Sequence, residues 1–490
     1  AAPDSDLGVS GGGAVSVLYG PLSAGSSLSL LTDADVRLTG SADEALGTGL
    51  GVVLDNDGDG YPELVASAPG TQVTATDEGV VYLLDGGGRL EDQAPSSPID
   101  HTDDADGDGY TEDDGDCDDT RASMAPDLDE VCEDGLDNDC DGQDARCAPT
   151  GAWDVEDATG FEAYAPSTSS FDRAGQQVVG LGDFNGDGFP DVAVGDPFYT
   201  TGTGAVYIRR GPLTEGTELH DGGTLVRFEG ENVGDYVGEV IAPAGDVNGD
   251  GYDDLLIGAP YFNDSSSSAT EVGRVYLVLG SASATGSVSL ASAALTITGT
   301  STNVELGSAI AALGDIDHDG YGDIVIGDRG GTDAGGTASI FLGSSLLAAV
   351  GTDLTPADGD VQLHGVLAGN AVGGAVASAG DVDGDGSIDL LIGDTSGFGP
   401  TLEKARCGLL YYGPLTSLPA EGDAITLADV AFTHDNDEEL GTVVLGGADF
   451  NADGYADVVL CSPDGDNTGL VAGFFGPLPV GASLDVSEAD

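Results

Sequence analysis

Residues 246–260 read DVNGDGYDDLLIGAP. Asp246, Asn248 and Asp250 stand at alternate positions, Gly251 follows, and Asp254 closes the ninth position before an apolar run that ends at Pro260. The same pattern, Asp-x-[Asp/Asn]-x-Asp-Gly-x-x-[Asp/Glu], starts at Asp55, Asp183, Asp246, Asp315, Asp381 and Asp449. From Asp183 onward the copies are 63, 69, 66 and 68 residues apart, whereas 128 separate the first two. Something of about one repeat length is therefore inserted in the first interval. A glycine lies eight residues before each first Asp, at Gly47, Gly175, Gly238, Gly307, Gly373 and Gly441. Behind each loop come a first apolar run, a loop of variable length, and a second apolar run.

Short apolar runs between Gly/Asp turns read as strands, and no segment keeps a 3.6-residue apolar period. Four short strands per unit of about 65 residues is the cadence of a propeller blade. With strands numbered from the centre outward, the Asp loop joins strands one and two, and the variable loop joins two and three. LTITGT (295–300) and TLVRFEG (224–230) serve as strand four. Ala2-Pro3 followed by GGAVSVLYG (12–20) matches the end of a strand two and a strand three. The expectation is an all-β, seven-bladed β-propeller with one incomplete blade, its missing third lying upstream. Residues 1–100 and 148–490 form the propeller, and 101–147 form an inserted module.

The chain has 490 residues and 88 Asp+Glu against 12 Lys+Arg, a formal net charge of −76. Nucleic-acid binding needs a basic footprint, so that class is excluded, and anionic lipid is disfavoured for the same reason. No apolar run approaches the roughly 20 residues of a membrane-spanning helix. The acidity is concentrated: the six loops and residues 101–147 hold 41 of the 88 acids in 101 residues.

A hard cation such as Ca²⁺ takes six to eight oxygen ligands, and alternate residues of a tight loop can converge on one ion. Positions 1, 3 and 5 supply side-chain oxygens, position 7 a backbone carbonyl, and position 9 a carboxylate. Glycine at position 6 allows the sharp turn. Mg²⁺ demands a stricter octahedron and Zn²⁺ wants His or Cys, so Ca²⁺ fits best. Clustered carboxylates repel one another when no ion is held, so stability is expected to depend on free calcium.

The unit Gly–(8)–DxNGDGxxD–strand–GAP–strand resembles the FG-GAP repeat of integrin alpha chains and related bacterial surface proteins. The resemblance implies a seven-bladed propeller with about six calcium ions on one face and ligand contacts on the other. By position, it makes side-chain ligands of Asp55, Asp57, Asp59 and Glu63; of Asp183, Asn185, Asp187 and Asp191; and of Asp246, Asn248, Asp250 and Asp254. The same positions in the later loops are Asp315, Asp317, Asp319 and Asp323; Asp381, Asp383, Asp385 and Asp389; and Asp449, Asn451, Asp453 and Asp457. Tyr61, Phe189, Tyr252, Tyr321, Ser387 and Tyr455 would each add a carbonyl. The chain departs from the family at the phenylalanine of FG, replaced by Leu46, Ala174, Val237, Leu306, Val372 and Leu440. These still suit a packed strand.

Residues 101–147 resemble the Asp/Cys-rich metal-binding motif of bacterial surface proteins. Asp104, Asp106, Asp108 and Glu112, with the Tyr110 carbonyl, fit the same spacing. Asp137, Asp139 and Asp141 outline a second site, whose last carboxylate, Asp144, comes one residue early. The insert would thus hold one or two Ca²⁺. It has too few apolar residues for a core, so metal and disulfides among Cys117, Cys132, Cys140 and Cys147 must hold it. Three pairings are open. Its place after strand three puts it on the outer rim of the calcium face. Cys407 and Cys461 lie on neighbouring blades, as a disulfide or as buried thiols.

No HExxH, GxSxG or Walker signature occurs, and no catalytic residue is expected. The leading reading is an extracellular, secreted or cell-surface adhesion scaffold for a protein or glycan ligand. The alternatives are a carbohydrate-active or lectin-like propeller and a purely structural or calcium-sequestering surface protein. Phe198, Tyr199, Tyr261 and Phe262, on the strand two–three loops, are the aromatic candidates for sugar contact.

Overall fold

The computed structural model describes residues 14–17, 36–39, 45–53, 63–69, 80–84, 151–154, 162–164, 174–212, 224–264, 269–330, 335–365, 371–397, 405–434, 441–462, 470–485 and 489. The Asp loop at 55–62 and the insert 101–147 lie outside the described residues.

The phased runs fold as strands. The first strands are Leu50–Val53, Gln177–Gly182, Val240–Gly245, Ala309–Gly314, Val372–Gly380 and Val443–Ala448, packed side by side in that order. Each pairs antiparallel with a second strand: Glu63–Ala68, Asp191–Asp196, Asp254–Ala259, Asp323–Asp328, Asp389–Gly397 and Asp457–Ser462. Third strands follow at Val80–Leu84, Ala205–Arg209, Arg274–Val278, Thr337–Phe341, Ala405–Tyr411 and Leu470–Phe474. Five sheets have an antiparallel fourth strand, at Glu162–Tyr164, Thr224–Glu229, Leu295–Thr298, Val361–His364 and Val430–His434. The first-to-second register shifts at Gly182, Gly245, Gly314 and Gly380, the residue before the first Asp, so a bulge aims each loop out of the sheet.

One feature was not expected. The segment between strands three and four crosses to the preceding blade and adds a fifth, parallel strand there. Gly286–Ser289 pairs with Thr224–Glu229, Asp353–Leu354 with Leu295–Thr298, Glu421–Asp423 with Val361–His364, and Ala482–Asp485 with Val430–His434. Among the described residues, four blades therefore clasp the blade before them in this way.

The blade count corrects the sequence expectation. The structure is an all-β propeller of six blades, not seven. A blade is founded on its inner hairpin, and the described residues contain six. The unit at the start of the chain appears as an outer sheet, Ala14–Val17 and Val36–Thr39 with Gly151–Asp154 added in parallel. It packs Val15 and Leu38 against Leu46, Ala66 and Tyr82 of the first blade but has no inner hairpin among the described residues. The flanking blades accordingly expose apolar groups: Leu50 and Val52 on one side, Val443, Leu445 and Val471 on the other.

Burial explains why the second strands are apolar between their terminal residues. In Asp191–Asp196, Asp254–Ala259 and Asp323–Asp328 every residue is buried. Alternate side chains face opposite neighbours. Val192 and Val194 pack with Val53 and Val65 of the blade before, and Ala193 packs with Ile241 and Ile257 of the blade after. The residues replacing the family's phenylalanine, Leu46, Ala174, Val237, Leu306 and Val372, are all buried.

The two glycines of the signature meet between blades. A Cβ built on Gly195 would lie 2.1 Å from the Gly238 carbonyl oxygen of the next blade; Gly327 stands 1.9 Å from that of Gly373 in the same sense. No side chain fits there. Gly195→Ala is expected to destabilise the fold by about 2–3 kcal/mol through overpacking, read as a lower urea midpoint. In the sixth blade, the equivalent residue is Cys461, a half-buried free thiol.

Candidate cation loops and the opposite face

Five Asp loops lie among the described residues. In each, the first Asp gathers the backbone of the turn onto its carboxylate. Asp183 accepts the N–H groups of Gly186, Asp187 and Gly188 at 2.6, 3.0 and 2.8 Å. Asp246 accepts those of Gly249, Asp250 and Gly251 at 2.6, 3.1 and 2.8 Å. Position 3 accepts from the amide at position 5, as Asp317 does from Asp319 at 3.1 Å and Asn451 from Asp453 at 2.9 Å. Position 5 accepts from the amide at position 7, as Asp385 does from Ser387 at 2.7 Å.

These bonds turn three side chains toward one point. In the loops with Asp at all three positions, carboxylate oxygens of Asp315, Asp317 and Asp319, and of Asp381, Asp383 and Asp385, lie within 4.8 Å of one another. Three like charges so close repel unless a cation sits among them. The all-oxygen donor set, held by backbone amides at a tight turn, fits a hard divalent ion. In the loop at 183–191, Asn185 donates Nδ2–H to both Asp191 oxygens, at 3.1 and 2.9 Å, leaving its amide oxygen as the donor atom for an ion.

Position 9 has a second task that the sequence reading missed. Asp254 is fully buried. One of its oxygens accepts Val247 N–H at 3.0 Å, closing the loop, and the other accepts Gly280 N–H at 2.8 Å, just past strand three. Asp323 repeats this with Ile316 and Gly343, Asp389 with Val382 and Gly413, and Asp457 with Phe450 and Gly476. The ninth carboxylate is therefore a latch between the loop and its own sheet. Burial raises these acids: Asp191 and Asp323 to about 6, Asp254 and Asp389 to about 7, with the loop's other carboxylates adding to the rise and the backbone bonds opposing it. The fixed signal was legible: a glycine follows strand three at 211, 280, 343, 413 and 476.

The strand two–three loops emerge at the other end of the sheets. Phe198 and Tyr261 come together there, but through Tyr236, which the sequence reading did not select. The rings meet edge to face at 5.5 Å (Phe198–Tyr236) and 5.6 Å (Tyr236–Tyr261). Tyr236 lies two residues before the phased Gly238 and has φ 50°; Ala45 and Glu305 hold the same position and conformation in their units. Tyr199 and Phe262 instead lie under guanidinium groups, Arg227 at 5.0 Å and Arg274 at 3.8 Å from the ring centroids. Arg274 also pairs with Glu231 at 2.8 Å, and Glu231 accepts the Tyr276 hydroxyl at 2.9 Å. This face thus joins a run of half-buried aromatics to paired charges.

Comparison with known proteins agrees with this geometry. The family model described as "FG-GAP repeat" matches residues 174–208 and 237–278, each window running from the residue before the phased glycine into strand three. Over these two windows the chain is similar to FG-GAP repeats. Human integrin alpha-IIb is 36% identical over 227 residues, covering 46% of this chain and 20% of the integrin. Chicken integrin alpha-V is 34% identical over 281 residues, covering 55% and 25%. Fruit-fly integrin alpha-PS2 is 30% identical over 231 residues, covering 46% and 15%. The chain spans a quarter or less of the length of these relatives. A second family model, described as "Putative metal-binding motif", matches residues 116–145, inside the insert. Among the described residues no helix is long and apolar enough to cross a membrane.

Proposed function

We propose that this FG-GAP propeller is an extracellular recognition scaffold whose inner loops bind Ca²⁺ and whose opposite face takes a protein or glycan ligand. The convergence of Asp315, Asp317 and Asp319, repeated at Asp381, Asp383 and Asp385, carries the cation half. Side-chain oxygens at positions 1, 3 and 5 and the carbonyl at position 7 would hold the ion, with one Asp or Glu oxygen at position 9. The loop at 55–63 and the Asp sets of the insert would bind in the same way, and residues 101–147 would form a separate module. Millimolar extracellular calcium matches the weak affinities of extracellular calcium modules. The integrin alpha relatives support the adhesion or recognition half.

The Phe198–Tyr236–Tyr261 run favours a glycan among the ligand classes, because sugar rings stack on half-exposed aromatics. The test is to screen the chain, in calcium and in chelator, on arrays of glycans and extracellular proteins. Calcium-dependent retention that Tyr236→Ala abolishes is the expected result. Retention by no array feature would favour a structural or calcium-sequestering role, and turnover of a retained polysaccharide would favour a carbohydrate-active enzyme.

A further inference from the structure

At three junctions an Asp loop touches the loop of the next blade, and the contact is built from the same positions each time. The ring of Tyr252, position 7 of its loop, lies against Gly186, position 4 of the loop before. A Cβ on Gly186 would stand 2.4 Å from the Tyr252 Cε1. Tyr321 lies against Gly249 and Tyr455 against Gly384 in the same way, at 2.8 and 2.5 Å. The backbone is joined beside each ring. The position 8 amides of Asp253, Gly322 and Ala456 donate to the position 1 carbonyls of Asp183, Asp246 and Asp381 at 3.2, 3.0 and 3.0 Å. Asp253 also accepts Asp183 N–H on its side chain at 2.8 Å.

The fourth junction differs on both sides at once. Position 4 there is His318, with φ 62°, and the corresponding position 7 is Ser387, the one loop in the chain without an aromatic at that place. Where position 4 keeps its glycine and a loop follows, the corresponding residue is aromatic; where it carries a side chain, the corresponding residue is small. The pairing Gly58 with Phe189 obeys the same rule in sequence. At the three junctions with a ring, the ring fills the space that a side chain at position 4 would need, so bulk on one side excludes bulk on the other.

From this we infer that the position 7 ring is a positioning residue for the cation loop of the preceding blade, so that the loops load as coupled groups. The inference rests on the cation reading above. The carbonyl of Tyr252 belongs to its own loop, while its ring covers the turn whose amides are bonded to Asp183. Ordering one loop therefore fixes the wall of the loop before it. The run 183–191, 246–254, 315–323 is tied by two position 7 rings and the pair 381–389, 449–457 by one, while Ser387 leaves the junction between these groups without a position 7 ring.

The test titrates the calcium-free full chain with CaCl₂ alone by calorimetry. Tyr252→Ser keeps the carbonyl and removes the ring. Loss of such a supporting contact should weaken one site about tenfold. That loss should vanish in an Asp187→Ala background, where the loop at 183–191 is already disabled, and Tyr252→Phe should restore the affinity. Unchanged affinity in Tyr252→Ser, or an equal loss in both backgrounds, overturns the coupling. No calcium uptake by the unaltered chain sinks the cation reading itself, and the coupling with it. Should Tyr252→Ser fail to fold, the graft Ser387→Tyr with His318→Gly decides: it should steepen the titration beyond the wild type, whereas Ser387→Tyr alone should not. A graft that leaves the steepness unchanged also overturns the coupling.

Discussion

Excess chelator should lower the melting temperature of this propeller by about 10 °C, with full recovery on adding back Ca²⁺. A ligand held only by the folded state stabilises by RT ln(1 + [L]/Kd), about 1.4 kcal/mol per site at tenfold saturation. Five described loops of this kind together supply about 7 kcal/mol. A chain of this size melts with a large entropy, so each kcal/mol moves the midpoint by at most about 2 °C. The geometry gives the reason for expecting so large an effect. The carboxylates of Asp381, Asp383 and Asp385 are held within 4.8 Å of one another, and the chain already carries a net charge of −76. Removing the cation leaves that repulsion at every inner turn, where successive blades are joined. Differential scanning calorimetry in calcium, in chelator and in magnesium gives the answer. Equal melting points in calcium and chelator would refute the mechanism, and rescue by magnesium would reassign the ion.

Much of this was legible because the repeat states its own phase. Asp246, Gly251 and Asp254 fix a loop, and the apolar run behind them fixes a strand that must be buried on both faces, as Leu255 and Leu256 are. What the sequence hid is spatial. The strand at Gly286–Ser289 is too short and too polar to announce itself, and it exists only because the neighbouring sheet offers it the open edge of Thr224–Glu229. Tyr236 looked like an ordinary connector residue until its backbone turned it between Phe198 and Tyr261. The blade count failed because periodicity counts outer strands, such as Ala14–Val17, as evidence for a whole blade, whereas a blade needs its inner hairpin. The exchange of bulk between His318 and Ser387 lies in plain view but means nothing until Tyr252, Tyr321 and Tyr455 are seen against the glycines of the loops before them.

The second large effect separates the latch from the ligand. Asp254→Ala should destabilise the fold by about 3 kcal/mol in chelator as well as in calcium. The substitution leaves the amides of Val247 and Gly280 without their acceptor at a buried place, and each unmet amide costs about 1–3 kcal/mol. Part of that loss is offset, since the wild-type carboxyl is itself costly to bury as an ion; its pKa is pushed up to about 7. Asp250→Ala makes the contrast. Its carboxylate accepts only the amide of Tyr252 and the side chain of Asn248, both at the exposed turn. It should therefore lower the melting point in calcium and leave the chelated protein unchanged or slightly more stable, through relief of repulsion. Asp254→Asn keeps one acceptor oxygen and should fall between Ala and wild type. If Asp254→Ala melts with the wild type in chelator, the ninth carboxylate acts only through the ion, and the latch has no independent worth. If it melts well below in both conditions, the residue that closes the cation loop is also the residue that fastens it to the blade, and the loops stay folded enough without calcium to receive it again.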